Sequence, residues 1–360
     1  MEDHGSRNID VEALEKSLKA KLCSDSPLSA KCCIFRVPEL LRRHKPEAYQ
    51  PDIVSIGPFH GSGELFEPMK KVKLWYLDTL LLRKCVCLKS LIQGIDKITG
   101  FEERARDYYA DSIDHLNHKE FVEMMIIDGC FLLALFWRSY YVYPDSDTVD
   151  DPLFPDSDTV DDPLFNMSCM YQYLCHDLLL LENQLPWFVL ESLHSLICNN
   201  QVPLTTLVLN FFSRLSSMSD YCEGYTNHTH DEEILHILDL IRSAIVVPFR
   251  KFESTESKYA MPHATALLEA GIEFRRSSVD GLMNIDFKDG VLTIPQLAIA
   301  EMTEPLFRNL IAFEQCYHGR MHQVASYAFL MDKLISSSKD VVFLCDKQIF
   351  YNWFSAEEGS

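Results

Sequence analysis

Apolar residues recur along most of this chain with the 3.6-residue period of helices, and the pattern is densest at residues 177 to 193, DLLLLENQLPWFVLESL. From Asp177 onward the four leucines Leu178 to Leu181 are apolar on every side of a helix, which places them in a core. Glu182, Asn183 and Gln184 interrupt the run. Pro186, with a fixed φ and no N–H, then suits the first turn of a second helix that opens with Trp187, Phe188 and Leu190. The spacing predicts two helices meeting at a buried corner, where the three polar residues need hydrogen-bond partners.

An amphipathic helix with a charged back is expected over residues 9 to 22, where Ile9, Leu14, Leu18 and Leu22 recur at mostly four-residue spacing. Residues 1 to 31 read as that helix and a linker, and residues 32 to 360 as a single compact helical domain. Residues 32 to 44 form an extended apolar segment turned into a short helix at Pro38, and residues 51 to 63 a strand-like segment ended by Gly and Pro. Helices are predicted from about Pro68, over 86 to 98 and 101 to 113 on either side of Gly100, and from about His118 to Tyr141, the most apolar of all.

Further helices are expected over 202 to 215, 232 to 245, 303 to 317 and 321 to 336, with a polar segment from Ser219 to Asp231. The chain then closes with a short helix, a turn and an apolar turn. The period changes at Gly271. Residues 272 to 276 and 282 to 287 alternate, and Asp289-Gly290 is the two-residue loop whose positive φ matches the twist of a hairpin returning through Val291 to Ile294. The fold class is therefore mainly α, a multi-helix domain with a small antiparallel β element near residues 272 to 294.

One stretch departs from every period: PDSDTVDDPLF at residues 144 to 154 is repeated letter for letter at 155 to 165. A duplication of this kind belongs in a tolerant loop, because a core element could not absorb it without losing register. The repeat lacks the turn-forming Gly and bidentate Glu of a helix–loop–helix calcium site, and a solvated acidic loop is expected.

Charge narrows the function classes. With 33 Lys and Arg against 53 Asp and Glu, the formal charge of −20 repels nucleic acid and anionic lipid over the molecule as a whole. The basic runs Arg42 to Lys45 and Lys70, Lys71, Lys73 read as solvated helix faces. The 12 cysteines are scattered, without disulfide-scaffold or zinc-module spacing, and read as buried thiols. The charged N-terminus lacks a signal h-region, so the sequons at Asn166 and Asn227 are expected to be silent. No apolar run reaches the roughly 20 residues of a membrane span. As written, the expectation is a soluble cytoplasmic protein.

Candidate chemistry is sparse. Asp128, in the middle of the most apolar helix, is expected to pair with a neighbouring helix or to lie near a cleft. Glu182, Asn183 and Gln184 join it as buried polar candidates. His228, His230 and His236, with Asp239, are the residues that could hold a metal, against a reading in which the histidines are exposed. There is no phosphate-cradling Gly loop, GxSxG elbow or HExxH, and no catalytic or cofactor-binding residue is assigned. Three readings stay open: a non-enzymatic recognition or scaffold protein that binds an unknown protein partner, a hydrolase or transferase using a Cys or Ser with a nearby His, and a metal-dependent regulator. An Asp128 carboxylate beside His176 would favour the second.

Seven segments in order carry a resemblance. CIFRVPELLR (33 to 42), AYQPDIVSIGPFH (48 to 60), EERARDYY (102 to 109), EFVEMMIIDGCFLLALF (120 to 136), DLLLLENQLPWFVLESL (177 to 193), PHATALLEAGIEF (262 to 274) and TEPLFRNLIAFEQC (303 to 316) resemble the plant-specific domain of unknown function 247, also called uncharacterised protein family 0481. The resemblance implies a mostly helical plant protein without established catalytic residues. Some members are implicated in grass self-incompatibility, which suggests recognition. Members usually continue past a segment like Asn352-Trp353 to a C-terminal apolar membrane segment, whereas this sequence stops at Ser360. In a longer form, association with the plasma membrane is the alternative expectation.

Overall fold

The computed structural model describes residues 10–22, 29–61, 63, 66–142, 162–165, 167, 169–198, 202–215, 218–226, 233–246, 261–277 and 281–352. Helix α1 (Val11–Lys19) starts on Asp10, whose carboxylate accepts the Ala13 N–H, and buries none of its residues. A short α2 (Glu39–Arg42) follows Pro38, and a 3-10 turn spans Pro46–Tyr49. Next come α3 (Glu67–Arg83), α4 (Leu88–Asp96) and α5 (Phe101–Arg106), the last two separated by Gly100 at φ 64°.

The longest helix is α6 (His118–Val142), and every residue from Cys130 to Ser139 is buried. It packs against α3 on one side and, on others, against α8 (Trp187–Cys198) and α9 (Leu204–Ser213). Between α6 and α8 lies α7 (Met170–Leu178). The helical layer continues through α10 (Ser219–Thr226), α11 (Ile237–Val246) and α12 (Ala264–Glu269). One apolar cluster runs from Cys33 to Phe350.

The sheet is mixed. β1 (Glu273–Arg276), β2 (Asp286–Lys288) and β3 (Val291–Ile294) stand in the order β1-β3-β2. β2 and β3 form the expected antiparallel hairpin, with Phe287 opposite Leu292 and positive φ at both Asp289 and Gly290. The structure adds that β1 pairs parallel to β3, with Phe274 opposite Leu292. β4 (Leu297–Ile299), α13 (Thr303–Cys316), α14 (Gln323–Leu334), α15 (Ser338–Asp346) and β5 (Phe350–Asn352) complete the order. The last of these replaces the expected apolar turn with a strand parallel to β4. Asp340, in the first turn of α15, closes the capping box on Ser337 and also ties the helix to α12, accepting the Ser337 N–H at 2.8 Å and the Thr265 N–H at 2.9 Å.

Four other expectations are corrected. The leucine run is not a helix throughout: α7 ends at Leu178, and Leu179 to Pro186 form an irregular buried link. The helix expected from residue 232 begins five residues later, as α11 at Ile237, while residues 219 to 226 of the polar segment form α10. Residues 51 to 61 form no strand. Finally, Asp162 of the second acidic copy is 0% exposed and paired with Arg138, so the repeat is not solvated throughout. Its other seven aspartates lie outside the described residues.

Candidate functional site

Residues 51 to 61 look extended in the sequence, yet their backbone donors are taken by side chains. The Asp177 carboxylate, 0% exposed, accepts the N–H groups of Asp52 (2.7 Å), Ile53 (2.8 Å) and Val54 (2.7 Å). Asn183 accepts from Ile56 at 2.6 Å and donates to the carbonyls of Val54 and Asp177. Asp128 accepts from Gly57 at 2.8 Å. A short run of donors is thus held by three buried acceptors, as buried polar groups require. Gln184 closes the elbow, donating to the carbonyls of Leu178 and Leu180 and accepting from Leu238.

This anchored segment forms one wall of a cleft of about 480 Å³ between α3 and α6. Phe66, Met69, Leu74, Leu116, Met124 and Ile127 give it an apolar lining, and Lys70, His115, Glu120 and Glu123 stand at its polar margin. Lys73 and Asp128 lie at its floor, 2.5 Å apart and both buried. Two of the three ammonium N–H donors go to Asp128 and the Ser55 carbonyl, and among the described residues the third has no partner. Lys73 is therefore not on a solvated face, and Asp128 has the helix–helix pairing expected of it.

A second cleft, of about 510 Å³, surrounds Glu182. Glu182 is 2% exposed; it accepts the Val37 N–H at 2.5 Å and an Arg42 guanidinium N–H, with Arg36 at 3.6 Å. Here Arg42, read as part of a solvated basic run, closes on a buried carboxylate. Burial, and after it the charges of Arg36 and Arg42, push the His60 imidazole down to about 4, so it is neutral at pH 7.

The metal candidates are not brought together as a ligand set among the described residues. His228 and His230 lie outside those residues. His236 is buried rather than exposed, with Nδ1 accepting the Asp239 N–H at 3.2 Å and its ring edge-on to Phe313. Asp239 is held by Arg320 through both carboxylate oxygens, at 2.9 and 2.8 Å, and accepts the Leu235 N–H. A different trio, Asp52, His176 and Asp177, has ligand-type atoms within 4.8 Å of one another. Asp177 already accepts three backbone N–H groups there, and His176 Nδ1 lies 3.0 Å from its Oδ1. These contacts occupy the Asp177 oxygens, so Asp177 serves as an anchor for residues 52 to 54. Asp128 and His176 belong to separate clusters, joined respectively to Lys73 and to Asp177.

Among the described cysteines Cys85, Cys87 and Cys169 are exposed rather than buried, because they stand at helix ends, whereas the buried thiols are held protonated. Burial pushes Cys32 and Cys198 up to about 11, and Cys33, Cys130 and Cys175 also upward. The anchors missed in the sequence are Lys73, Asp177, Arg320 and the Arg242–Glu314 pair. Glu314 accepts from Arg242 at 2.8 Å and from the first N–H groups of α14, Val324 and Ala325. Helix position could have flagged Lys73, which lies on the face shared by Met69, Tyr76 and Leu80.

Comparison with known proteins places these residues in context. The family described as a plant protein of unknown function, DUF247, matches residues 34–359. A UPF0481 protein of Arabidopsis thaliana is 28% identical, over 90% of this chain and 70% of its own length. A second UPF0481 protein of the same plant is 22% identical, over 68% of this chain and 43% of its own length. No solved structure matches.

Proposed function

The chain belongs to the plant family of unknown function DUF247, and from that premise we propose that it is a recognition protein whose binding site is the cleft between α3 and α6. The observation that carries the reading is the chemistry of the cleft floor. Asp128 is already engaged by Lys73 and the Gly57 N–H, so the floor presents one spare ammonium donor within an apolar wall. Such a site is suited to holding a group rather than transforming one.

The group that fits is an apolar ring tipped by a hydroxyl, such as a tyrosine of a partner protein. Its ring packs on Phe66, Leu74 and the adaptable side chains of Met69 and Met124, and its oxygen accepts from Lys73. Lys70, Glu120 and Glu123 at the margin supply charge selectivity. The enzymatic reading has less support, since Asp128 and His176 sit in separate clusters and the buried thiols are held protonated. A role as metal-dependent regulator rests on His228, His230 and His236, of which His236 is engaged with the backbone.

The test compares the parent chain with a Met124→Asp variant, each isolated gently from plant tissue and sized by light scattering. A particle heavier than one 41.5 kDa chain, lost in the variant, supports the cleft. The same heavy particle in both moves the partner to another surface, and a lone chain in both counts against recognition.

A further inference from the structure

A pocket of about 430 Å³, within the size range of small-molecule sites, opens between the first turns of α14 and residues 283 to 285. It shares no lining residue with the α3–α6 cleft. Met283, Ile285, Met321 and Leu330 make its walls apolar, and among the described residues no Lys, Arg, Asp or Glu lines it. Tyr327 lines it too, with its ring packed on Phe307 at 5.9 Å. The residue is 5% exposed, yet its hydroxyl has no hydrogen-bond partner among the described residues. A buried tyrosine hydroxyl ordinarily finds one, because a buried polar group left unpaired is unfavourable.

The other polar side chains of the wall fix what it can offer. Arg242 donates to Gln323 Oε1 at 2.9 Å, and since a guanidinium can only donate, the amide oxygen is held toward it and the Gln323 NH2 is left over. Ser326 spends its hydroxyl proton on the His322 carbonyl at 2.6 Å. The charge of Arg242 is met by Glu314 at 2.8 Å, so it does not stand ready for an anion. Two donors, the Tyr327 O–H and the Gln323 NH2, therefore remain unspent on an uncharged, mainly apolar wall. We propose that this pocket binds a small neutral molecule with an apolar ring and one carbonyl group, whose oxygen accepts from the Tyr327 hydroxyl. The ring packs on Met283 and Met321, whose unbranched thioethers adapt to its outline. A carboxylate in the same place loses its hydration with no cation to replace it.

The test is methyl NMR of the full chain labelled at methionine, parent and Tyr327→Phe, titrated with acetophenone, ethylbenzene and benzoate. Met283 and Met321 report this pocket, and Met69 and Met124 report the α3–α6 cleft, so binding at the two is told apart. In the parent, acetophenone is expected to shift Met283 and Met321 saturably and to bind about fivefold tighter than ethylbenzene, the worth of one hydrogen bond. Benzoate should bind more weakly than acetophenone. In Tyr327→Phe the two neutral probes should bind alike, and the variant should melt no lower than the parent, since it removes a hydroxyl that bonds to nothing. The proposal is overturned if no probe moves Met283 and Met321, or if acetophenone and ethylbenzene bind the parent equally. It is also overturned if benzoate binds as tightly as acetophenone, if the preference for acetophenone survives Tyr327→Phe, or if that variant melts lower.

Discussion

Lys73 of α3 holds Asp128 of α6 at 2.5 Å beneath a cleft, and this pair joins the two helices and sets the chemistry of the floor. Removing one partner leaves the other charge buried and uncompensated. Lys73→Met or Asp128→Leu alone should each cost about 3–5 kcal/mol. The double variant should cost clearly less than the sum of the two. Denaturant unfolding of the four proteins measures the coupling, and additive losses would mean that the two groups do not act as a pair.

Asp177 is the acceptor on which residues 52 to 54 depend. Asp177→Asn replaces one acceptor oxygen by a donor facing N–H groups and should destabilise by about 3 kcal/mol or more. On the other side of the elbow, Trp187 is 3% exposed, and Trp187→Ala should cost about 3–5 kcal/mol. Variants that melt like the parent would show that the elbow does not organise the core.

Gly57 passes close to that elbow. It has φ +71°, and a Cβ there would lie 2.9 Å from the Gln184 carbonyl oxygen and 3.2 Å from the Tyr109 hydroxyl. Gly57→Ala should therefore cost about 1–3 kcal/mol. Gly61→Ala is the control, with similar φ but nothing within 4 Å, and it should cost less. Equal shifts in melting temperature would assign the effect to φ alone.

His236 makes the fold acid-labile. Burial, opposed by the Asp239 charge and reinforced by that of Arg320, pushes its pKa from 6.5 to about 4. Between those values the unfolded chain binds the proton that the folded chain excludes. The contribution of His236 is thus complete above pH 6.5 and declines as the pH falls to about 4, by on the order of 3 kcal/mol. His60 acts in the same direction. Melting temperatures across this range should fall less steeply for His236→Gln than for the parent, and parallel curves would contradict the assignment.

Much of the helical framework is legible from periodicity. The apolar run at α6, the Asp289-Gly290 hairpin loop and the buried polar trio Glu182, Asn183 and Gln184 all follow from local pattern. What local pattern misses is long-range pairing. Residues 51 to 61 have strand-like letters, but their partners are carboxylates and an amide 71 to 129 positions away, so no ladder forms. β1 likewise alternates like a hairpin strand while pairing parallel to β3. Lys73 reads as a solvated cation because its counter-charge lies on another helix, and Asp162 reads as loop acid because Arg138 lies within the most apolar one. The cleft exists only where these distant pairings converge.

The most direct test of recognition through this cleft is methyl NMR of the full chain labelled at methionine, titrated with N-acetyltyrosinamide, N-acetylphenylalaninamide and N-acetylalaninamide. Met69 and Met124 both line the site. The account predicts saturable shifts of these two methyl signals, with the tyrosine probe binding more tightly than the phenylalanine probe and the alanine probe leaving them unchanged. If no probe moves them, or if the aromatic probes shift only methionines elsewhere, the cleft is not the recognition site.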